Sequence, residues 1–172
     1  MTPIICARNL AEFLREQFQG YTSPDEKVAG NSITIRDGFL PKQTTMDAKR
    51  RQNPYIVIRP VKVDDDNKDG STADLQILVT TYNEDKEDGH LALYHILEFI
   101  RQSLLTHKLI KKRNMLQMPV KTIIPEEQPF PQWWGYMEVT YSIGQPGING
   151  FADGGEYLAR PQLNMNYKEV KA

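Results

Sequence analysis

The sequence predicts an α+β domain in which two helices pack on a mostly antiparallel sheet of about four to five strands. Three observations carry this expectation. Two segments repeat apolar residues at the helical period. Several others are β-branched or alternate with period two, and the order along the chain is helix, about three strands, long helix, about two strands. With 172 residues the chain is long enough for one hydrophobic core, so a single domain over residues 1–143 is expected, followed by an extended arm over 144–172.

The first helix is expected over about residues 3–19. Thr2 and Pro3 form a good cap and first-turn pair, and Cys6, Leu10, Phe13, Leu14 and Phe18 recur near the helical period up to Gly20. Residues 21–31 hold Ser23, Pro24 and two glycines and read as a loop. Ile33, Thr34, Ile35 and Arg36 then form a short strand stopped by Asp37 and Gly38, and a polar, basic stretch follows over 42–53. Residues 55–63 are β-branched and apolar, and residues 74–82 make their antiparallel neighbour across a loop at 64–72. Pro60 cannot donate to a ladder, which puts that end of the strand at an edge or a bulge.

Between residues 89 and 107, Leu93, Ile96, Leu97, Ile100 and Leu104 step by three and four, one apolar stripe on a helix roughly 28 Å long. Asp88 is expected to cap its start, with His107 and Lys108 at its negative C-terminal end. Residues 116–124 read as extended. Met137, Val139, Tyr141 and Ile143 alternate cleanly, as a half-buried antiparallel strand does. Beyond Gly144 come further glycines without sustained periodicity, the expected arm, ordered on a partner.

Hydrophobic residues make up 40% and charged residues 25% of the chain, which excludes a wholly disordered or membrane-embedded class. No apolar run approaches the roughly 18 residues of a membrane span, and the N-terminus lacks the basic region of a signal peptide, so folding in a cytosol without membrane contact is expected. Cys6 is the single cysteine, excluding an intramolecular disulfide or a multi-cysteine metal cluster. Lys and Arg number 21 against 22 Asp and Glu, a balance that argues against nucleic-acid binding as the main occupation. The distribution is uneven. From residue 64 to 88 the acids Asp64, Asp65, Asp66, Asp69, Asp74, Glu84, Asp85, Glu87 and Asp88 face only Lys68 and Lys86. From 101 to 121 the six bases Arg101, Lys108, Lys111, Lys112, Arg113 and Lys121 meet no acid. Such segregation suits head-to-tail alignment of like subunits or steering of a partner, and two solvated loops account for it equally.

No chemical motif outlasts its plainer explanation. Asp65, Asn67, Asp69 and Gly70 occupy the first, third, fifth and sixth places of a calcium loop, but the twelfth is Gln76 and a strand precedes it, so a tight turn explains the same residues. His90, His95 and His107 lie on or beside the long helix. His95 and Glu98 are one turn apart, with no further histidine or cysteine spaced to complete a zinc site. There is no Gly-x-Ser-x-Gly elbow and no phosphate-binding loop, and Glu126 and Glu127 point to opposite sides of an extended chain. The expectation is therefore a protein without catalytic residues, cofactor or metal.

The segment Pro125-Glu126-Glu127-Gln128-Pro129-Phe130-Pro131-Gln132-Trp133-Trp134-Gly135 holds three prolines, both tryptophans and Phe130. Prolines keep it extended at low entropic cost, and large aromatics on such a loop serve as a plug over the core or as an interface anchor. With Asp37-Gly38-Phe39-Leu40-Pro41-Lys42, Pro54-Tyr55-Ile56-Val57-Ile58-Arg59-Pro60 and Thr80-Thr81-Tyr82-Asn83-Glu84-Asp85, it makes residues 33–143 resemble the tail terminator, or tail-completion, proteins of long-tailed bacteriophages.

That resemblance implies an α+β domain without chemistry, assembling with itself as a closed ring, typically a hexamer, on the last ring of the tail tube protein. The ring ends tube polymerisation and offers a surface to the head–tail connector protein, within a virion assembled in the host cytoplasm. Contacts in such a ring are heterologous. The acidic turn Glu84, Asp85, Glu87 and Asp88 and the basic turn Lys111, Lys112 and Arg113 are the expected ring or tube contacts, with Phe130, Trp133 and Trp134 as an apolar anchor. Another neck component, a stopper or head-completion protein, is the alternative within virion assembly. A calcium-dependent binding module on residues 65–70 is the alternative from outside it. The loop at 64–72 and the tail after Gly144 have no counterpart in the resemblance.

Overall fold

A computed structural model of the chain describes residues 2–24, 30–39, 54–66, 70–144, 151–152 and 156–157. Helix α1 spans Pro3–Phe18 and starts as the sequence requires, with Pro3 in its first turn and Thr2 Oγ1 accepting a hydrogen bond from the Ile5 amide at 3.4 Å. It buries Cys6, Leu10, Leu14 and Phe18. The chain then doubles back. The Tyr21 amide donates to the Phe18 carbonyl, and a Cβ at Gly30 would lie 1.8 Å from that same oxygen, so only glycine allows the return. A 3-10 turn, Gly30–Ser32, leads into the sheet.

The strands are β1 Thr34–Asp37, β2 Tyr55–Asp66, β3 Gly70–Tyr82, β4 Leu109–Ile110, β5 Asn114–Ile123 and β6 Gln132–Ile143, in the order β1-β2-β3-β6-β5-β4. Helix α2, Leu91–Thr106, lies between β3 and β4 in the chain. The fold is thus α+β with two helices, and its sheet has six strands rather than four to five. One pairing departs from the antiparallel pattern: β1 runs parallel to β2, with Thr34 opposite Tyr55. Parallel neighbours need a crossover. The basic stretch expected over 42–53 falls in that connection and lies outside the described residues.

Four boundaries move for physical reasons. The loop expected at 64–72 shrinks, because β2 and β3 stay paired out to Asp66 opposite Gly70, and Gly70 takes the left-handed φ of 81° that the hairpin needs. Strand β6 begins at Gln132, so both tryptophans belong to the strand and not to the loop before it. Helix α2 starts at Leu91 without a side-chain cap; Asp88 offers only its carbonyl, to the Leu91 amide at 3.0 Å. The expected arm contains a pairing of its own, β7 Phe151–Ala152 with β8 Glu156–Tyr157, and its remaining residues lie outside the described ones. Pro60 meets its expectation, since the β2–β3 register shifts between Pro60 and Lys62.

Both helices cover one face of the sheet. The α2 stripe of Leu93, Ile96, Leu97, Ile100 and Leu104 joins α1 residues against Ile56, Ile58, Leu75, Ile77, Val79, Met137, Val139 and Tyr141. Each such side chain contributes roughly 1.5–3 kcal/mol on leaving water. The opposite face carries Tyr55, Arg59, Gln76, Leu78, Trp134 and Tyr136.

Candidate interaction surfaces

The acidic turn between β3 and α2 is rigid from within. Asn83 Oδ1 accepts the Asp85 amide at 2.9 Å, and Asp85 Oδ1 accepts the amides of Glu87 and Asp88 at 2.9 and 3.2 Å. These short side-chain caps hold the backbone in successive turns. Trp133 Nε1 donates to the Asn83 carbonyl at 3.1 Å and ties the turn to β6. Gly89 is what allows that approach: a Cβ there would lie 2.2 Å from the Asp85 carbonyl oxygen and 2.8 Å from Trp133 Nε1. Glu84, Asp85, Glu87 and Asp88 remain exposed on this fixed frame.

Beside them stands Phe130, 47% exposed, edge-on to Trp133 and 5.9 Å from Lys86 Nζ. The proline-rich segment is folded around one side chain that sequence reasoning overlooked. Gln128 Nε2 donates to the carbonyls of Pro125 and Trp134, at 2.6 and 3.1 Å, and its Oε1 accepts the Trp134 amide at 2.7 Å. A glutamine between prolines carries no sequence signal for this role; only the return of the chain reveals it.

Adjacent residues on a strand point to opposite faces, and this divides the expected anchor. Trp133 packs against the core, near His90 at 5.9 Å, and closes the end of the helix layer. Trp134 lies on the other face, stacked with Tyr136 at 6.1 Å and 17°. Phe130 and Trp133 therefore belong with the acidic turn, while Trp134 belongs to a separate surface. There, Tyr55, Arg59, Gln76, Leu78, Trp134 and Tyr136 line a shallow groove of about 530 Å³.

The basic turn joins β4 to β5. Lys111 and Lys112 take left-handed φ values of 49° and 56°, and the Arg113 amide closes the turn onto the Ile110 carbonyl at 3.0 Å. Lys111 Nζ reaches Glu16 at 3.3 Å and Glu12 at 3.6 Å on α1, so its charge is partly matched within the chain. Lys112 and Arg113 form no ion pair among the described residues.

Register places the two turns at opposite ends. Tyr82, just before the acidic turn, pairs with Gln132 at the start of β6, whereas Asn114, just after the basic turn, bonds the Ser142 carbonyl near its end. Ten strand steps separate those points, roughly 33 Å. The acidic run divides as well. Asp64, Asp65 and Asp66 sit at the β2–β3 hairpin, on the same end as the basic turn.

Asp65, first donor of the calcium-like motif, accepts the Ser71 hydroxyl within a paired hairpin, and Asn67 and Asp69 lie outside the described residues. Among the described residues no group of three or more His, Cys, Asp or Glu is placed to hold a metal ion, and no helix is long and apolar enough to cross a membrane. His107 stacks on Phe13 at 5.6 Å, and its Nδ1 lies 3.2 Å from the Ser103 carbonyl. Burial pushes the Cys6 thiol up to about 12, which keeps it protonated. Glu126 and Glu127 are both exposed. Compared with known proteins, the chain matches no family model and no curated sequence.

Proposed function

We propose that this protein caps the bacteriophage tail tube as a ring of identical subunits, ending tube growth and giving the connector a surface to join. The observation that carries this reading is the placement of a rigid acidic turn with exposed Phe130 at one end of the sheet and a basic turn with Lys112 and Arg113 at the other. Surfaces of opposite charge at opposite ends of one body suit a heterologous contact, in which each copy presents its acidic end to the basic end of the next, and closure of that contact yields a ring. The resemblance over residues 33–143 supplies the setting, a phage tail in its virion, with the tube protein and the connector as further partners.

Electron microscopy of the purified protein, alone and mixed with its tube protein, tests this. Rings, and tubes whose length falls as the protein is added, are the expected outcome. A protein that stays single at high concentration and leaves tube length unchanged defeats the reading. Binding to the portal-side ring in place of the tube would move it to the stopper or head-completion role.

A further inference from the structure

The groove on the sheet face turned away from the helices is not used by either charged turn. Tyr55, Leu78 and the stacked pair Trp134 and Tyr136 make it apolar, and Arg59 is its single charge among the lining residues. Arg59 Nε donates to Gln76 Oε1 at 3.0 Å, and its guanidinium lies 5.4 Å from the Phe39 ring. Both partners are neutral, so the cation has no carboxylate against it among the described residues. A half-buried guanidinium framed by aromatic rings is a receptor for an acidic, aromatic segment, because it presents paired donors whose strength rises as water is excluded.

A second observation identifies such a segment. Strands β7 and β8 pair with each other and with no strand of the main sheet. Two strands of two residues each do not hold together in water alone and need a surface to lie on. Their sequence matches the groove: Phe151 stands opposite Tyr157 in register, and Glu156 supplies an acid. The tether decides whose groove it is. From Ile143 to Phe151 are eight steps, at most roughly 28 Å when pulled straight. From Ile143 back to Trp134 are nine strand steps, roughly 30 Å, and the chain would also have to reverse direction at the end of the sheet. The hairpin falls short of the groove on its own subunit.

We infer that the groove takes the β7–β8 hairpin of a second copy of this chain, with Glu156 as the carboxylate for Arg59 and the aromatic pair against Trp134 and Tyr136. The contact is heterologous, groove to arm, so it links copies head to tail. It rests on the ring reading, for which it supplies a second bond between neighbours. It also gives a role to the residues after Gly144, which the charged turns leave unexplained.

The test uses the full chain, alone and mixed with tube protein, with assembly read by sedimentation velocity and electron microscopy. Arg59→Glu and Glu156→Arg should each weaken assembly at least tenfold, and the double charge exchange should restore it to within a few-fold. Glu156 lies outside the core, so its variant keeps the test valid even if Arg59→Glu misfolds by circular dichroism. In a Cys6→Ala background, Gln132→Cys with Tyr157→Cys should give a ladder of multimers on an oxidised, non-reducing gel. A bridge confined to monomers, or none, overturns the exchange between copies. Rings that form equally well with Glu156→Arg overturn this contact and leave the ring reading standing. A wild-type chain that stays monomeric with and without tube protein brings down both.

Discussion

At the scale of single residues, the buried polar groups of the core set the alkaline limit of the fold. Cys6 and Tyr141 are 1% and 0% exposed, and the Tyr141 hydroxyl has no hydrogen-bond partner among the described residues. Burial raises both groups, and for Tyr141 the neighbouring Cys6 adds to the effect. The Cys6 thiol titrates near 9.0 when exposed and at about 12 in the fold. The folded chain therefore holds its proton while the unfolded chain releases it. Stability from this group is complete below pH 9 and falls progressively between pH 9 and 12. Melting temperatures measured at pH 8, 9 and 10 should decline across that window, and Cys6→Ala should flatten the first part of the decline while lowering the plateau by leaving a small cavity. At pH 8 a thiol reagent should find no reactive cysteine in the native protein and one in denaturant. Rapid native labelling would show that Cys6 is open to solvent.

At the scale of elements, the basic turn shows how local strain and surface charge are set against each other. Two-residue reversals with both φ values positive favour Asn and Gly, yet here the positions are Lys111 and Lys112, at 49° and 56°. A side chain in the left-handed region costs roughly 1–2 kcal/mol, part of which glycine returns as entropy of the unfolded chain. Lys112→Gly should therefore stabilise the protein by about 0.5–1 kcal/mol, a rise of about 2–3 °C in melting temperature, while it weakens tube capping. A calorimetric scan with a tube-length assay checks both, and a variant that gains stability and keeps full capping would free Lys112 from any contact role. The same scale shows what could be read in advance. The α2 stripe and the alternation from Met137 to Ile143 were legible because each repeats a period that one covered face imposes. The start of β6 was not, because the prolines at 125, 129 and 131 make the tryptophans look like part of the loop. Once Gln132 is known to begin the strand, Trp133 and Trp134 must part to opposite faces, and the groove around Trp134 follows. Arg59 and Leu78 alternate with core residues on β2 and β3, so the second face was visible in the pattern but had no partner in sequence to mark it.

At the scale of the molecule, charge is arranged by end, and the linear sequence hides that arrangement. The acidic run reads as one block in the chain, but the hairpin carries Asp64, Asp65 and Asp66 to the basic end and leaves Glu84, Asp85, Glu87 and Asp88 at the other. Long-range pairing decides this, and no local pattern encodes it. The consequence for assembly is a matter of multiplicity. One exposed ion pair is worth about 0.5 kcal/mol, but a ring repeats its contact at every boundary, so six such pairs would amount to about 3 kcal/mol, over a hundredfold in the population of closed rings. Glu87→Lys and Lys112→Glu should each depress ring formation and tube capping by that order, because each sets like charges across every boundary at once. Combining the two substitutions should return most of the loss. The losses should also shrink as salt rises from 0.15 to 1 M, where the screening length falls from about 8 to about 3 Å. The core is remote from both turns, so melting temperatures should stay within about 1–2 °C of wild type. Tube lengths measured by electron microscopy for the four proteins at two salt concentrations decide the matter. If both single reversals cap tubes as wild type does, the charged ends are solvated loops, and the contact between copies has to be carried by Phe130 and the groove beside Trp134.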